Sequence, residues 1–313
     1  MGAAVLEVTD LHKSFGAVPA VRGLSLAVRP GEVFGFLGPN GAGKTSTLRM
    51  ILGMMQPDAG SIRLFGAPWS LAVLPRLGYL PEERGLYRRM RAADAVAWFA
   101  RLQGLDRRTA RRRTAALLER LGLAAVARRR IDTLSKGMAQ KLQLATALAH
   151  EPELLILDEP FSGLDPIAQE AVEAMIREQA AAGRSVLVST HGMALAERLC
   201  DRILILRRGE TAFAGSVAEA RRLLPRRVRL ECGRDLGFLA ALPGVRALHP
   251  PAPGGETWEA VLGQGAEPGA LLAACIAEGA VPTRFDAAEP SLHEVFVAVA
   301  GGDAAPDPRG TPA

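Results

Sequence analysis

Eight consecutive residues, Gly38, Pro39, Asn40, Gly41, Ala42, Gly43, Lys44 and Thr45, carry the densest chemistry in the chain. The order GPNGAGKT suits an anion. Glycines let successive backbone N–H groups converge on phosphate oxygens, and a helix starting at the lysine adds positive partial charge. Lys44 is placed to reach the outer phosphates of a nucleoside triphosphate such as ATP and Thr45 to ligate Mg²⁺, with Ser46 counted among the nucleotide-binding residues. Lysine occurs only at positions 13, 44, 136 and 141, in a chain with 38 basic residues. A compact ammonium fits between phosphates where a planar guanidinium does not.

Further along, LLIL runs into Asp158 and Glu159. This puts two carboxylates at the C-terminal end of a buried strand, where open α/β sheets bind their ligands. Asp158 is expected to hold Mg²⁺ through its water shell and Glu159 to polarise an attacking water. The plainer alternative is one capping acid and one solvated acid. Three shorter stretches stand out beside these: LSKGMAQK (134–141), SGLDP (162–166), and His191 after SVLVST. Ser135 is also a good helix N-cap on its own. Phe15, in LHKSFG, is either a core residue after the first strand or an aromatic face for a base to stack on.

Over about residues 4–222 this constellation resembles the ABC ATPase family. LSKGMAQK looks like the family signature LSGGQ, which implies that Ser135 and Gly137 bind the γ-phosphate held by an opposite subunit. SGLDP resembles the D-loop, in which Asp165 organises that interface, and His191 matches the switch histidine contacting the γ-phosphate. The resemblance also implies that Phe15 stacks on adenine. Two departures matter: Glu82, in GYLPEERGLY, stands where the family normally has Gln, and Lys136 and Met138 replace the usual Gly and Gln of the signature. Both variants, with PSLHEVF at 290–296, resemble a subgroup of bacterial exporter ATPases that carry a small C-terminal domain. Glu82 adds a negative charge beside Asp158 and Glu159 and is counted here as a metal-site residue; the competing placement points it to solvent, a permease or Arg84.

The elements that must position these residues follow from periodicity. Short strands (VLEV, LSLAV, EVFGFL) lead to the Gly-rich loop and then a helix. Helical patterns over 92–104, 107–122 and 136–149 form an insertion, a helical subdomain at about 85–150. Beyond it the strand ELLILD, a helix at 167–182, the strand SVLVST, a helix at 192–200 and the strand RILILRRG alternate as in a parallel sheet flanked by helices. The expected class is α/β, a P-loop NTPase of the ABC type with a helical subdomain. After a break near RRLLPRR, residues 226–300 read as a small α+β domain of strand, helix, strand, strand, helix, strand and helix, and 301–313 as a disordered tail.

Composition bounds the rest. With 313 residues, 49% of them hydrophobic, the chain can bury a large core and a smaller one. A net charge of +5 permits an acidic partner without specifying one, and the arginine runs at 88–91, 107–113 and 128–130 read as solvated helical faces or as contacts to lipid headgroups or a permease. No specific nucleic-acid partner is expected; the alternative function is a soluble ABC ATPase acting on nucleic acid or ribosomes, whose usual second nucleotide-binding half, long coiled coil or zinc cysteines are not found here. Cys200, Cys232 and Cys275 sit in no metal-ligand spacing and read as reduced, buried thiols. MGAAVLEVTD does not read as a secretion signal, and no apolar run is long enough to cross a membrane. The expectation is therefore a homodimer at the cytoplasmic face of the membrane, driving a separate integral-membrane permease that sets substrate selectivity.

Overall fold

The computed structural model describes residues 4–83, 85–263 and 265–301. Arg84, the alternative partner of Glu82, and residues 302–313 of the tail lie outside the described residues. The chain divides into two compact units, Met1–Ser216 and Val217–Ala313.

The first unit holds two sheets. β1 (Leu6–Phe15) and β2 (Val18–Val28) form an antiparallel hairpin, extended by β4 (Ala59–Leu64) and β5 (Ala67–Pro68) in the order β2-β1-β4-β5. The sequence reading expected short strands here. Register shifts within the β1–β2 pairing let the chain bend repeatedly without ending either strand, so they run to 10 and 11 residues. The second sheet contains β3 (Val33–Leu37), β6 (Leu77–Leu80), β7 (Leu154–Asp158), β8 (Ser185–Thr190), β9 (Arg202–Arg207) and β10 (Glu210–Ser216), in the order β10-β9-β3-β8-β7-β6. β9, β3, β8, β7 and β6 are parallel, and β10 returns antiparallel on β9 as an edge strand. β3, β7 and β8 are buried along their whole length, as expected for parallel strands covered on both faces.

Helix α1 (Lys44–Ile51) follows β3; α2 (Ala92–Leu102), α3 (Arg107–Arg120) and α4 (Lys136–Leu148) form the insertion; α5 (Pro166–Ala181) and α6 (Met193–Leu199) flank the sheet. One apolar cluster joins both sheets, running from Leu6, Leu11 and Leu24 through Phe36, Leu48 and Ile51 to Leu154, Leu187 and Leu204. This shared core locks the hairpin sheet against the strand that leads into the Gly-rich loop.

The second unit comprises α7 (Val217–Arg221), β11 (Arg226–Glu231), β12 (Val245–His249), β13 (Thr257–Leu262), α8 (Pro268–Ala277), β14 (Arg284–Asp286) and α9 (Leu292–Ala300). Its antiparallel sheet has the order β12-β13-β11-β14. The first helix expected in this region is only a 3₁₀ segment, Gly237–Ala241. Val228, Leu230, Leu236, Leu239, Leu262 and Leu271 build its own core, in which Cys232 and Cys275 are also buried. All three cysteines are free thiols, and burial pushes the Cys200 thiol up to about 12. α9 is fixed at its start by a reciprocal capping box between Ser291 and Glu294.

Candidate functional site

Four neighbouring parallel strands, β3, β8, β7 and β6, end on the same side of the sheet, and each delivers chemistry from its C-terminal end. β3 feeds the loop 38–43, β7 ends in Asp158, β8 leads to His191, and β6 leads to Glu82. Residues more than 100 positions apart thus meet at one edge, the ligand-binding edge of open α/β folds.

A cavity of about 380 Å³ lies there, lined by Asn40, Gly41, Gly43, Lys44, Thr45 and Ser46 on the loop side. Asp158, Glu159 and Glu82 face them, and Phe15 and Ala20 complete the rim. Phe15 is 49% exposed, so it is no core residue. Glu82 is exposed at the chain level yet faces this cavity with the other two carboxylates.

The loop's backbone is what makes the cradle. Gly43 has φ 107 and immediately precedes α1, and a Cβ on it would sit 2.4 Å from the Ala20 carbonyl oxygen. Only glycine satisfies both conditions. Lys44 is buried, its Nζ donating to the carbonyls of Gly38 at 2.6 Å and Pro39 at 3.1 Å. Burial lowers its pKa, opposed by Glu159, Asp158 and Glu82. An ammonium held by two carbonyls and drawn toward three carboxylates is a cation ready to exchange those partners for phosphate oxygens.

Asp158 is 1% exposed, and its Oδ2 has no hydrogen-bond partner among the described residues. Burial raises its pKa against the lowering influence of the Ser189 hydroxyl and Lys44, and Glu82 and Glu159 push it further up. An orphaned carboxylate oxygen in a cavity that Thr45 also lines, already rich in negative charge, fits a hard divalent cation. Tyr79 on β6 responds to the same charges, its phenol pushed up to about 12 by burial, with Asp158 and Glu82 adding to the effect.

Glu159 adopts a left-handed backbone with φ 47, an unusual conformation for a non-glycine residue. Its amide donates to the Ser189 carbonyl at 2.9 Å, which holds the turn after β7 against β8. Its carboxylate accepts from the His191 amide at 3.0 Å and the Thr190 hydroxyl at 3.3 Å, and lies 2.8 Å from His191 Nδ1. The histidine is therefore coupled to the acid while its ring remains largely exposed.

Ser135, Gly137 and Asp165 do not line this cavity. Ser135 caps α4 by accepting from the Met138 amide at 3.3 Å, and Asp165 caps α5 by accepting from the Ala168 amide at 2.8 Å. Lys136 lays its stem over Gly163, so LSKGMAQK and SGLDP meet there.

Two residues absent from the sequence reading position the cavity's walls. Gln143, 2% exposed on α4, donates from Nε2 to the carbonyls of Pro81 at 3.2 Å and Glu83 at 3.1 Å, gripping the backbone on both sides of Glu82. Gln140, one turn earlier, donates to the Pro160 carbonyl at 3.3 Å, next to Glu159. Their signal was available: two glutamines three apart in the mostly apolar stretch AQKLQLATAL fall on one helix face, where a buried amide must find a partner.

Comparison with known proteins agrees with this geometry. The family described as ABC transporter matches residues 21–162. The uncharacterized ABC transporter ATP-binding protein YhaQ of Bacillus subtilis (strain 168) is 38% identical over 298 residues, covering 95% of this chain and 99% of the relative. The Nod factor export ATP-binding protein I of Paraburkholderia xenovorans (strain LB400) is 41% identical over 219 residues, covering 69% of this chain and 72% of the relative. A solved structure described as the ATP binding subunit of an ABC transporter superposes with a TM-score of 0.65 at 35% identity, covering 70% of this chain and 92% of that one. With the phosphate loop, the paired acids and the sheet order in place, this chain belongs to the family of ABC transporter ATP-binding proteins.

Proposed function

We propose that this subunit hydrolyses ATP and couples the cycle to export through a separate membrane permease. The observation that carries the proposal is the single cavity in which Lys44, Thr45, Glu82, Asp158 and Glu159 converge, with Asp158 Oδ2 buried and unpartnered. Phe15 stacks on the adenine, and the amides of the loop with Lys44 take the phosphates. Thr45, Asp158 and Glu82 are the residues to hold Mg²⁺, which when bound neutralises phosphate charge. Glu159 is the base for water, and His191, which already touches it, reports the state of the γ-phosphate side.

Ser135, Gly137 and Asp165 serve a second copy's nucleotide in this reading, consistent with their positions at helix starts outside the chain's own cavity. Export follows the name of the Nod factor export relative. Among the described residues no helix is long and apolar enough to cross a membrane, so the permease is assigned to another chain. Tyr87, Trp98 and Leu102 offer it an exposed apolar surface on the helical insertion, where Trp98 stacks edge-on with Tyr87 at 5.3 Å. In this reading the subunit works at the cytoplasmic face of the membrane. The proposed ATPase domain, residues 4–222, takes in α7 beyond the end of the first compact unit at Ser216, and 226–300 form an accessory domain dispensable for nucleotide binding.

Glu159→Gln tests the assignment. The expected loss of turnover is at least about 100-fold, the lower range for a general base, with ATP affinity retained and an ATP-bound dimer accumulating on size exclusion. A variant that hydrolyses ATP normally, or that stays monomeric at saturating nucleotide and protein, overturns it. A chain ending at Arg222 that folds but cannot bind ATP overturns the domain division.

A further inference from the structure

The second unit contains a cavity of about 400 Å³, within the size range of small-molecule sites. It is lined by Arg221, Arg222, Arg226 and Arg246 with Glu267 and Glu289, and its apolar wall includes Leu223, Leu224, Leu262 and Pro290. The lining draws on the α7 end, the start of β11, the end of β13 and the turn before α9.

The charges do not cancel. Glu289 is shared by Arg221 at 3.0 Å and Arg226 at 3.5 Å, which fixes two guanidiniums with one carboxylate. Arg226 Nε is nevertheless buried without a hydrogen-bond partner among the described residues. A guanidinium N–H left unpaired inside a protein is unfavourable, a penalty that an arriving oxygen removes. Arg222 and Arg246 form no ion pair among the described residues, and neither does Glu267, so the lining carries four cations against two anions. Surface arginines alone would be unremarkable in a chain with this much arginine. A cavity of ligand size, a buried orphan donor and an apolar wall in the same place are a different matter.

The geometry points to a binding site for a small amphipathic anion, a phosphate or carboxylate head on an apolar body, in the accessory unit. The head is taken by Arg222, Arg226 and Arg246, and the apolar portion lies against Leu223, Leu224 and Leu262. Planar guanidiniums suit either head group because each can donate two parallel hydrogen bonds to it.

Calorimetric titration of the full chain with octyl phosphate, below its micelle concentration, tests the site. One saturable event is expected, at least about tenfold tighter than inorganic phosphate or octanol. The double variant Arg222→Ala/Arg246→Ala should weaken it at least about tenfold, the scale of one charge-assisted hydrogen bond, and both positions are exposed enough to change without disturbing a core. Arg107→Ala/Arg112→Ala, on the exposed face of α3, should leave it unchanged, and so should Lys44→Ala, which separates this site from the phosphate loop. No saturable binding at about 1 mM, equal loss in the α3 control, or loss with Lys44→Ala would overturn the proposal. Recruitment to phosphatidic acid vesicles that disappears in the Arg222/Arg246 variant assigns the head group to a lipid; octyl phosphate binding without recruitment assigns it to a free metabolite.

Discussion

The cavity around Lys44 and the cavity around Arg226 are nearly equal in volume, about 380 and 400 Å³, yet they are built on opposite plans. The first is made mainly of backbone: a run of consecutive residues bends so that amides and one ammonium face inward, and strand ends bring three carboxylates to meet them. The second is made of side chains, arginines from separate segments of a small α+β unit around a leucine-lined wall. A backbone cradle leaves no room for a side chain at Gly38 and Gly43, where a Cβ would meet the carbonyls of Leu206 and Ala20. A cradle of arginines can flex, and changing one residue removes one contact without collapsing the rest.

The sharpest way to break this contrast is a pair of glycine substitutions. Gly43→Ala puts a Cβ 2.4 Å from the Ala20 carbonyl at φ 107 and is expected to abolish ATP binding, measured with a fluorescent nucleotide. Gly265→Ala, on the rim of the other cavity at φ 80, meets nothing within 4 Å. It should cost about 1–2 kcal/mol of stability for the left-handed backbone and leave octyl phosphate affinity within about threefold. Equal effects of the two changes would end the distinction between backbone-built and side-chain-built sites.

A smaller effect is expected from Gln143→Leu, which keeps α4 packed but strips the donors from the Pro81 and Glu83 carbonyls. Two hydrogen bonds of about 1 kcal/mol each hold the backbone beside Glu82, so kcat should fall by up to about 30-fold with ATP affinity nearly unchanged. Faster amide exchange at Glu82 and Glu83 would accompany it. A change in affinity alone would make Gln143 part of the nucleotide cradle and not a positioning residue for its opposite wall.

The smallest expected effect concerns charge. Burial raises the Asp158 pKa, with Glu82 and Glu159 adding to it. A carboxyl whose folded pKa exceeds its unfolded value contributes stability that is complete at low pH and lost as pH rises through the folded value. Asp158→Asn should therefore melt higher than the parent at pH 7 without nucleotide or metal, the gap closing as pH falls toward 4. Glu82→Gln should give the same trend in weaker form, since Glu82 is exposed and acts on Asp158 only through space, and it should shift the Mg²⁺ dependence of ATPase activity a few-fold. An unchanged Mg²⁺ and pH dependence in Glu82→Gln would move that residue out of the site.

The same contrast marks how far the sequence could be read. GPNGAGKT and LLILDEP are legible because each is a continuous stretch whose local conformation already makes the chemistry: a turn of glycines before a helix, an apolar strand ending in acids. The alternation from ELLILD to RILILRRG likewise fixes parallel strands, since buried strands joined by helices have few other arrangements. The antiparallel sheet order β2-β1-β4-β5 and the reversed edge strand β10 were not legible, because pairing partners and bulges depend on which surfaces meet. That Ser135 and Asp165 serve an opposite subunit and that Glu82 belongs with the metal site are expectations of the family resemblance and of charge, not of local pattern; which residues line this chain's own cavity depends on the adjacency of β3, β8, β7 and β6. Gln140 and Gln143 show only a polar interruption until the fold supplies the carbonyls they bind. The arginines of the second cavity look like composition until tertiary structure gathers them, because side chains from distant segments acquire a common direction only when the backbone between them has folded.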